Sequence, residues 1–395
     1  MPRFFRPFLI ALTVAVTFLA GIYVGGHYYR ISPLISALPA DVRSALFPGD
    51  DLLQLQREIE GILRENYYQP VDRVVLQNGA LNGMIGSLGD PYSVYYSPDD
   101  YRTVQLRQHG EFVGIGVLLE MKDGQLTVVS TLEDTPASEA GISAGDMVIA
   151  VDGESLAGKD EAEGAALMRG ELGTQVVVTI RRDGEEIDFE LTRRRIEMPI
   201  IYNEMIEEGG MKIAYVNLQQ FPEDSGAKLR GAIEMMIAEG AEGLILDLRY
   251  NGGGILNESI EAASLFIQNG AIVSVVGRDS KSQVYEARGD ANESIPMVVL
   301  INEFTASAAE IVAGALKDSG RATLIGETTF GKGVVQMILP LSNGGAVKFT
   351  SGVYHTPGGI AIDEIGVQPD IPVTDNPETP EVDEVLERGL LELTS

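Results

Sequence analysis

Four short apolar runs, at residues 211–218, 243–248, 297–302 and 322–326, constrain the fold more than any other feature of this chain. Each reads as a short buried strand. Segments 225–239, 255–268 and 307–319 lie between them and have helical composition. Strands alternating with helices predict an α/β layer from residue 197 onward. A chain of 395 residues is long for one domain and comfortable for two or three.

The residues before that layer divide by pattern. Segment 110–195 holds β-rich runs at 126–130, 147–151, 175–181 and 186–192, separated by Gly and Asp turns, with a helical stretch at 161–169. It predicts a small β-domain with one or two helices. In segment 50–86, Leu52, Leu55, Ile59, Ile62 and Leu63 recur at helical spacing, and Pro91 closes the unit. Residues 32–48 read as a stalk. Arg3 and Arg6 precede an uncharged, mostly apolar run from residue 8 to 26, long enough for a membrane span. No A-x-A site follows, so a retained anchor is favoured over a cleaved signal peptide. Either reading leaves the basic end inside and exports the rest, which places the chain in the cell envelope. From Asp375 the chain is acidic, first a linker and then a short helix.

Composition removes several functions. A formal charge of −29 argues against nucleic acid as a partner. The chain has no cysteine, so thiol catalysis, Cys-bound zinc and disulfides are excluded. The histidines are His27, His109 and His355, and no HExxH is present. No metal and no cofactor is expected.

Three pieces carry candidate chemistry. The run 297–302 leads into Thr305, Ala306, Ser307, Ala308, Ala309 and Glu310 and then a helix. A serine there sits near free backbone N–H groups able to hold an oxyanion. The bland alternative is that Ser307 caps the helix, with Glu310 completing a capping box. Lys332 lies between Gly331 and Gly333 and precedes Gln336. Alone it reads equally as an exposed turn lysine. The run 243–248 feeds Arg249, Tyr250, Asn251, Gly252, Gly253 and Gly254, placing exposed amides where α/β folds bind ligands. That glycine run also reads as a plain turn. Neither GxGxxG nor GxxxxGK[ST] is present, so a phosphate loop is disfavoured.

Together the three pieces resemble the C-terminal processing peptidases, or tail-specific proteases. The strand, Arg249 and the glycines resemble that family's LDLRxNPGG segment, residues 305–310 its S-A-S-A-S-E segment, and residues 330–336 its FGKGxxQ segment. The resemblance implies a serine endopeptidase with Ser307 as nucleophile, Lys332 as general base and Gln336 orienting the lysine. It implies an oxyanion hole from the backbone of Gly253 and Ala308. Gly252 stands where the family has proline, and Thr305 and Ala309 replace its outer serines. With no suitable histidine motif, a neutral lysine is the natural base, and burial lowers its pKa. Lys332 is therefore expected to be mostly buried and without a carboxylate partner.

Segment 110–195 resembles a PDZ domain. Residues 112–117 resemble its carboxylate-binding loop and residues 140–153 its A-G-x-x-x-G-D segment, with Val148 for isoleucine. The resemblance implies that Gly114, Ile115 and Gly116 hold a peptide's C-terminal carboxylate, and that Arg169 senses bound substrate. The expected fold is a mixed α+β and α/β multidomain chain: anchor 1–30, stalk and helical segment 31–95, PDZ domain 96–196, ClpP/crotonase-like protease core 197–374 and acidic tail 375–395. The expected partners are proteins or peptides with a free C-terminus, and a membrane through the N-terminal segment. Two rivals remain at this point: a PDZ adaptor with an inactive protease-like core, and a serine protease using His109 or His355.

Overall fold

A computed structural model of the chain describes residues 51–395 except residues 123 and 380. They fall into two compact units that divide between Tyr95 and Tyr96. The first contains helices α1 (Asp51–Asn66) and α2 (Arg73–Gly86). Asp72 starts α2 by accepting from the Val74 N–H at 2.6 Å, the expected N-cap chemistry. Arg73 reaches back to Glu60 at 2.8 Å. The anchor expected at residues 8–26 lies outside the described residues. Among the described residues no helix is long and apolar enough to cross a membrane. A short strand β1 (Val94–Tyr96) spans the division between the units.

The second unit begins with α3 (Pro98–Gln108), followed by a β-domain. Its strands are β2 (Glu111–Gly114), β3 (Val117–Lys122), β4 (Gln125–Thr131), β5 (Met147–Val151), β6 (Glu154–Ser155), β7 (Gln175–Arg182), β8 (Glu185–Thr192) and β9 (Arg194–Glu197), with α4 (Pro136–Ala140) and α5 (Glu161–Met168). One sheet runs β3-β4-β5-β7-β8, and β2 pairs separately with β9. Val176, Val178 and Ile180 of β7 all face inward, the period-2 pattern of a half-buried strand. They pack with Leu126, Val148 and Leu191 in a core separate from that of the rest of the unit.

The α/β layer comprises β10 (Ile201–Glu208), β11 (Met211–Leu218), α6 (Ser225–Ala238), β12 (Gly243–Asp247), α7 (Leu256–Ser264), β13 (Ala271–Gly277), β14 (Ser282–Glu286), β15 (Met297–Ile301), α8 (Ala308–Asp318), β16 (Thr323–Gly326), β17 (Val334–Pro340), β18 (Ala346–His355), β19 (Ile371–Pro372) and α9 (Glu384–Thr394). Its main sheet has the order β10-β11-β12-β15-β16-β19. The β10–β11 pair is antiparallel and the others are parallel. The four apolar runs form its centre because both faces are covered. Leu244 and Leu246 of β12 pack with Leu229, Ile260 and Val312 from α6, α7 and α8. Ile245, between them, faces the other way and packs with Val385, Leu386 and Leu390 of α9.

Two features differ from the sequence expectation. The short helix expected at the end of the acidic tail is α9, but its role as the cover of that second face was not expected; it packs there because its apolar residues recur at helical spacing beneath the charge. A further antiparallel sheet, β17-β18-β13-β14, completes the layer. Its strands lack the continuous apolar runs of the main sheet, since many of their residues are only partly buried.

Candidate active site

The parallel strands β12, β15 and β16 end at one edge, where open α/β sheets bind ligands. The three sequence pieces are the loops that leave those ends. They are stitched together. The Ala306 N–H donates to the Asn251 carbonyl at 2.9 Å, and the Phe330 N–H to the Thr305 carbonyl at 3.0 Å. The Thr305 hydroxyl donates to the Leu248 carbonyl at 2.9 Å, and the Tyr250 N–H to Asn302 Oδ1 at 3.0 Å. The Tyr250 and Phe304 rings stack with centroids 5.4 Å apart.

Ser307 sits at the entry to α8 with φ 56° and ψ −116°. An ordinary N-cap is extended, whereas a non-glycine residue at this φ costs about 1–3 kcal/mol. Strain of this kind at a strand-to-helix turn is how nucleophile elbows expose a serine. Ser307 is only 7% exposed. Glu310 supplies the carboxylate half of a capping box by accepting from the Ser307 N–H, while the Ser307 side chain makes no cap bond, and the role of Glu310 extends further than the sequence suggests. Glu310 is fully buried. Its Oε2 accepts from the Ser307 N–H at 2.7 Å and from the Lys332 N–H at 2.9 Å. Its Oε1 accepts from the Thr329 hydroxyl at 2.6 Å and the Gly331 N–H at 2.7 Å. One carboxylate thus holds the backbones of both candidate residues. Burial pushes the Glu310 carboxyl above its ordinary value, and the four donors oppose that rise. Sequence reasoning assigned Glu310 only to the helix cap. The partners that show its wider role lie 19 to 22 residues away.

Lys332 is half-buried in the loop between β16 and β17. Burial lowers its pKa, the Lys348 charge lowers it further, and Glu310 opposes both. The expected mostly buried lysine is half-buried, and the nearby Glu310 carboxylate is bound to the lysine's own backbone N–H. The flanking glycines have a steric reason. A Cβ on Gly333 would lie 2.0 Å from the Asp363 nitrogen, and one on Gly331 about 3.1 Å from the nitrogens of Ile365 and Gly366. Gln336 lies on β17 beside a bulge. Its Nε2 donates to the Val334 carbonyl at 3.1 Å, which leaves its second N–H and its amide oxygen for other partners.

Gly253 touches the nucleophile turn. A Cβ there would meet Ala306 O at 2.7 Å, Ser307 Cβ at 2.8 Å and Ala308 N at 2.9 Å. Its own N–H, however, donates to Asn251 Oδ1 at 2.9 Å. That corrects the expected oxyanion donor, because this amide is already used in an Asx turn. The next residue, Gly254, bridges Phe221 through the bonds of its neighbours, Phe221 N–H to Gly253 O and Ile255 N–H to Phe221 O. That bridge does not use the Gly254 N–H. Ala308 is the first residue of α8, and helix geometry gives its N–H no intrahelical acceptor.

A family model described as Peptidase family S41 matches residues 212–373. The chain is 39% identical over 359 residues to a carboxy-terminal-processing protease of Bartonella bacilliformis, covering 89% of this chain and 81% of that one. It is 35% identical to the carboxy-terminal processing protease CtpA of Bacillus subtilis, covering 92% and 76%. The chain belongs to peptidase family S41. It is a serine-type peptidase of the carboxy-terminal processing group, as the sequence resemblance implied. Among solved structures, a photosystem II D1 C-terminal processing protease superposes with a TM-score of 0.52 at 29% identity, covering 89% of this chain and 93% of that one. An N-terminal domain model, described as that of the activating protease CtpB, matches residues 43–99.

A PDZ model matches residues 113–192 of this S41 peptidase. Gly114, Ile115 and Gly116 line a pocket of about 180 Å³ with Phe112, Met168 and Arg169. Gly116 has φ 84°, and a Cβ would lie 2.4 Å from Thr135 Cβ, so only glycine fits there. The Arg169 guanidinium lies over the Phe112 ring, 5.8 Å from its centroid. Met198, Pro199, Tyr202 and Gln219 close the pocket from the protease side. His109 pairs with Glu223 at 2.6 Å. His355 lies on β18 opposite Ser274. Neither histidine is brought to Ser307 by any of the loops described.

Proposed function

We propose that this S41 peptidase cleaves exported proteins near their C-termini, with Ser307 as nucleophile and Lys332 as general base. The observation that carries the assignment is the Glu310 carboxylate, which gathers the strained Ser307 and Lys332 backbones onto one oxygen. A serine hydroxyl attacks only when a neighbour removes its proton. Burial and the Lys348 charge favour the neutral amine of Lys332, the form that accepts a proton. Attack gives an acyl-enzyme on Ser307. Water then attacks the ester, with Lys332 again the base. The Ala308 N–H and the Gly254 N–H stabilise the tetrahedral oxyanion.

In this reading the pocket at Gly114, Ile115 and Gly116 holds the substrate carboxylate, and Arg169 senses its arrival. The peptide adds as a strand beside β3. Residues 8–26 anchor the enzyme in the cytoplasmic membrane with the catalytic part outside. Replacing Ser307 by Ala abolishes peptide cleavage and leaves the fold intact; wild-type turnover by that variant sinks the assignment. Lys332→Ala is likewise inactive, whereas a histidine-dependent enzyme retains activity. Amidating a substrate's C-terminus raises KM if the PDZ pocket reads the free carboxylate. Protease accessibility of the core in spheroplasts checks the location.

A further inference from the structure

The loop that carries Gly254, one of the two proposed oxyanion donors, starts at Arg249, and Arg249 is held by Asp383 at the start of the C-terminal helix. Its side chain is only 10% exposed. Its Nη1 and Nη2 donate to Asp383 Oδ1 and Oδ2, each at 2.8 Å. Asp383 is the residue that starts α9, where Oδ1 also accepts from the Leu386 N–H at 2.7 Å. On the other side, Arg249 Nε and Nη2 donate to Asp247 at 3.0 and 2.7 Å. Asp247 is itself fixed by the Tyr215 hydroxyl at 2.7 Å. Asp247 precedes Arg249 by two residues at the end of β12, so among the described residues the Asp383 fork, with Asp375 at 3.6 Å, gives this arginine its ion pairs to a distant part of the chain.

We infer that Asp383 is a positioning residue for the peptidase reaction: the C-terminal helix sets the oxyanion loop through Arg249. The path is short. The next residue, Tyr250, is held at φ 62° and donates its N–H to Asn302. Asn251 follows, and its carbonyl accepts from Ala306, the neighbour of Ser307. A planar fork engaged by two carboxylates fixes direction as well as distance. Loss of one side leaves a buried Nη group facing no acceptor, and the arginine must turn toward Asp247 or Asp375. The loop turns with it.

This inference rests on Ser307 being the nucleophile, and the test separates the two. Asp383→Asn keeps the helix cap, because the amide oxygen still accepts from Leu386, but it presents an NH₂ group to Arg249. Leu390→Ala removes packing from the same helix without touching Arg249. In the full-length chain, the rate of Ser307 labelling by a fluorophosphonate and kcat for a peptide are measured beside Tm. Phosphonylation develops negative charge on a phosphoryl oxygen that calls on the same donors as the carbonyl oxygen in peptide attack. For Asp383→Asn the expected result is a fall of at least about tenfold in both rates at unchanged KM, the scale of a small misplacement of catalytic groups. Leu390→Ala lowers Tm by a similar amount and keeps both rates, read below its melting temperature. Wild-type rates in Asp383→Asn, with Tm lowered as in Leu390→Ala, overturn the inference and leave α9 a packing element. If the wild type is not labelled, or Ser307→Ala is labelled equally, the nucleophile assignment fails first.

Discussion

Replacing Glu310 by Gln keeps the shape of the group that joins the two candidate residues and removes its charge. The carboxylate takes four donors and offers no hydrogen of its own. Glutamine must place an NH₂ at one of the two oxygen positions. At the Oε2 position it faces the N–H groups of Ser307 and Lys332. At the Oε1 position it faces Gly331 N–H and the Thr329 hydroxyl. The Thr329 oxygen already accepts from the Val367 N–H at 2.7 Å. The second placement costs less, yet it still leaves the Gly331 N–H buried and unpaired, at about 1–3 kcal/mol. The two bonds that remain lose their charge assistance, roughly a further 1–2 kcal/mol together. Burying no charge offsets part of this, since burial already pushes Glu310 upward. The net expectation is a loss of about 2–4 kcal/mol in urea unfolding. Because Ser307 and Lys332 are no longer drawn to one anionic oxygen, kcat falls by about 10²-fold, the effect of a displacement near 1 Å. Denaturation curves and peptide turnover on the same preparation check both. A variant with wild-type kcat and wild-type stability refutes the claim that this carboxylate assembles the site.

Three further outcomes follow from the same geometry. Lys348 on β18 adds to the fall in the Lys332 pKa; Lys348→Met lets Lys332 keep its proton to higher pH, so the rising limb of kcat/KM against pH moves upward and activity at neutral pH drops. Gly253→Ala places a methyl 2.7 Å from Ala306 O at a φ of 95°; turnover falls by about 10²-fold and stability by about 1–3 kcal/mol, measured by peptide assay and thermal melting. Burial pushes the Asp383 carboxyl up, but the Arg249 fork outweighs it and holds the group below its ordinary 3.8. A folded pKa below the unfolded one stabilises above the unfolded value and is lost as pH falls through the folded value. The stability gap between wild type and Asp383→Asn is therefore full at neutral pH and closes below about pH 3.8, as urea titrations across that range will show.

Much of this arrangement was legible in the chain itself. A strand covered on both faces must be apolar without interruption, so β11, β12, β15 and β16 announce themselves, and the loops leaving three of them carry Ser307, Lys332 and the glycines. Chemistry at those positions depends on residue type and local turn, which short motifs record. Glu310, Asn251 and Asp383 are different. Each is a common polar residue with a local excuse: a helix cap, a turn, an acidic tail. Only packing shows that Glu310 spans from Ser307 to Lys332, that Asn251 occupies the Gly253 amide, and that Asp383 reaches Arg249 across 134 positions of sequence. Hydrogen bonds over such separations leave no periodicity behind. The sequence alone determined the layer, its reactive loops and the family resemblance; the tertiary structure decided which carboxylates and amides those loops share, because only the folded chain brings distant donors and acceptors within bonding distance.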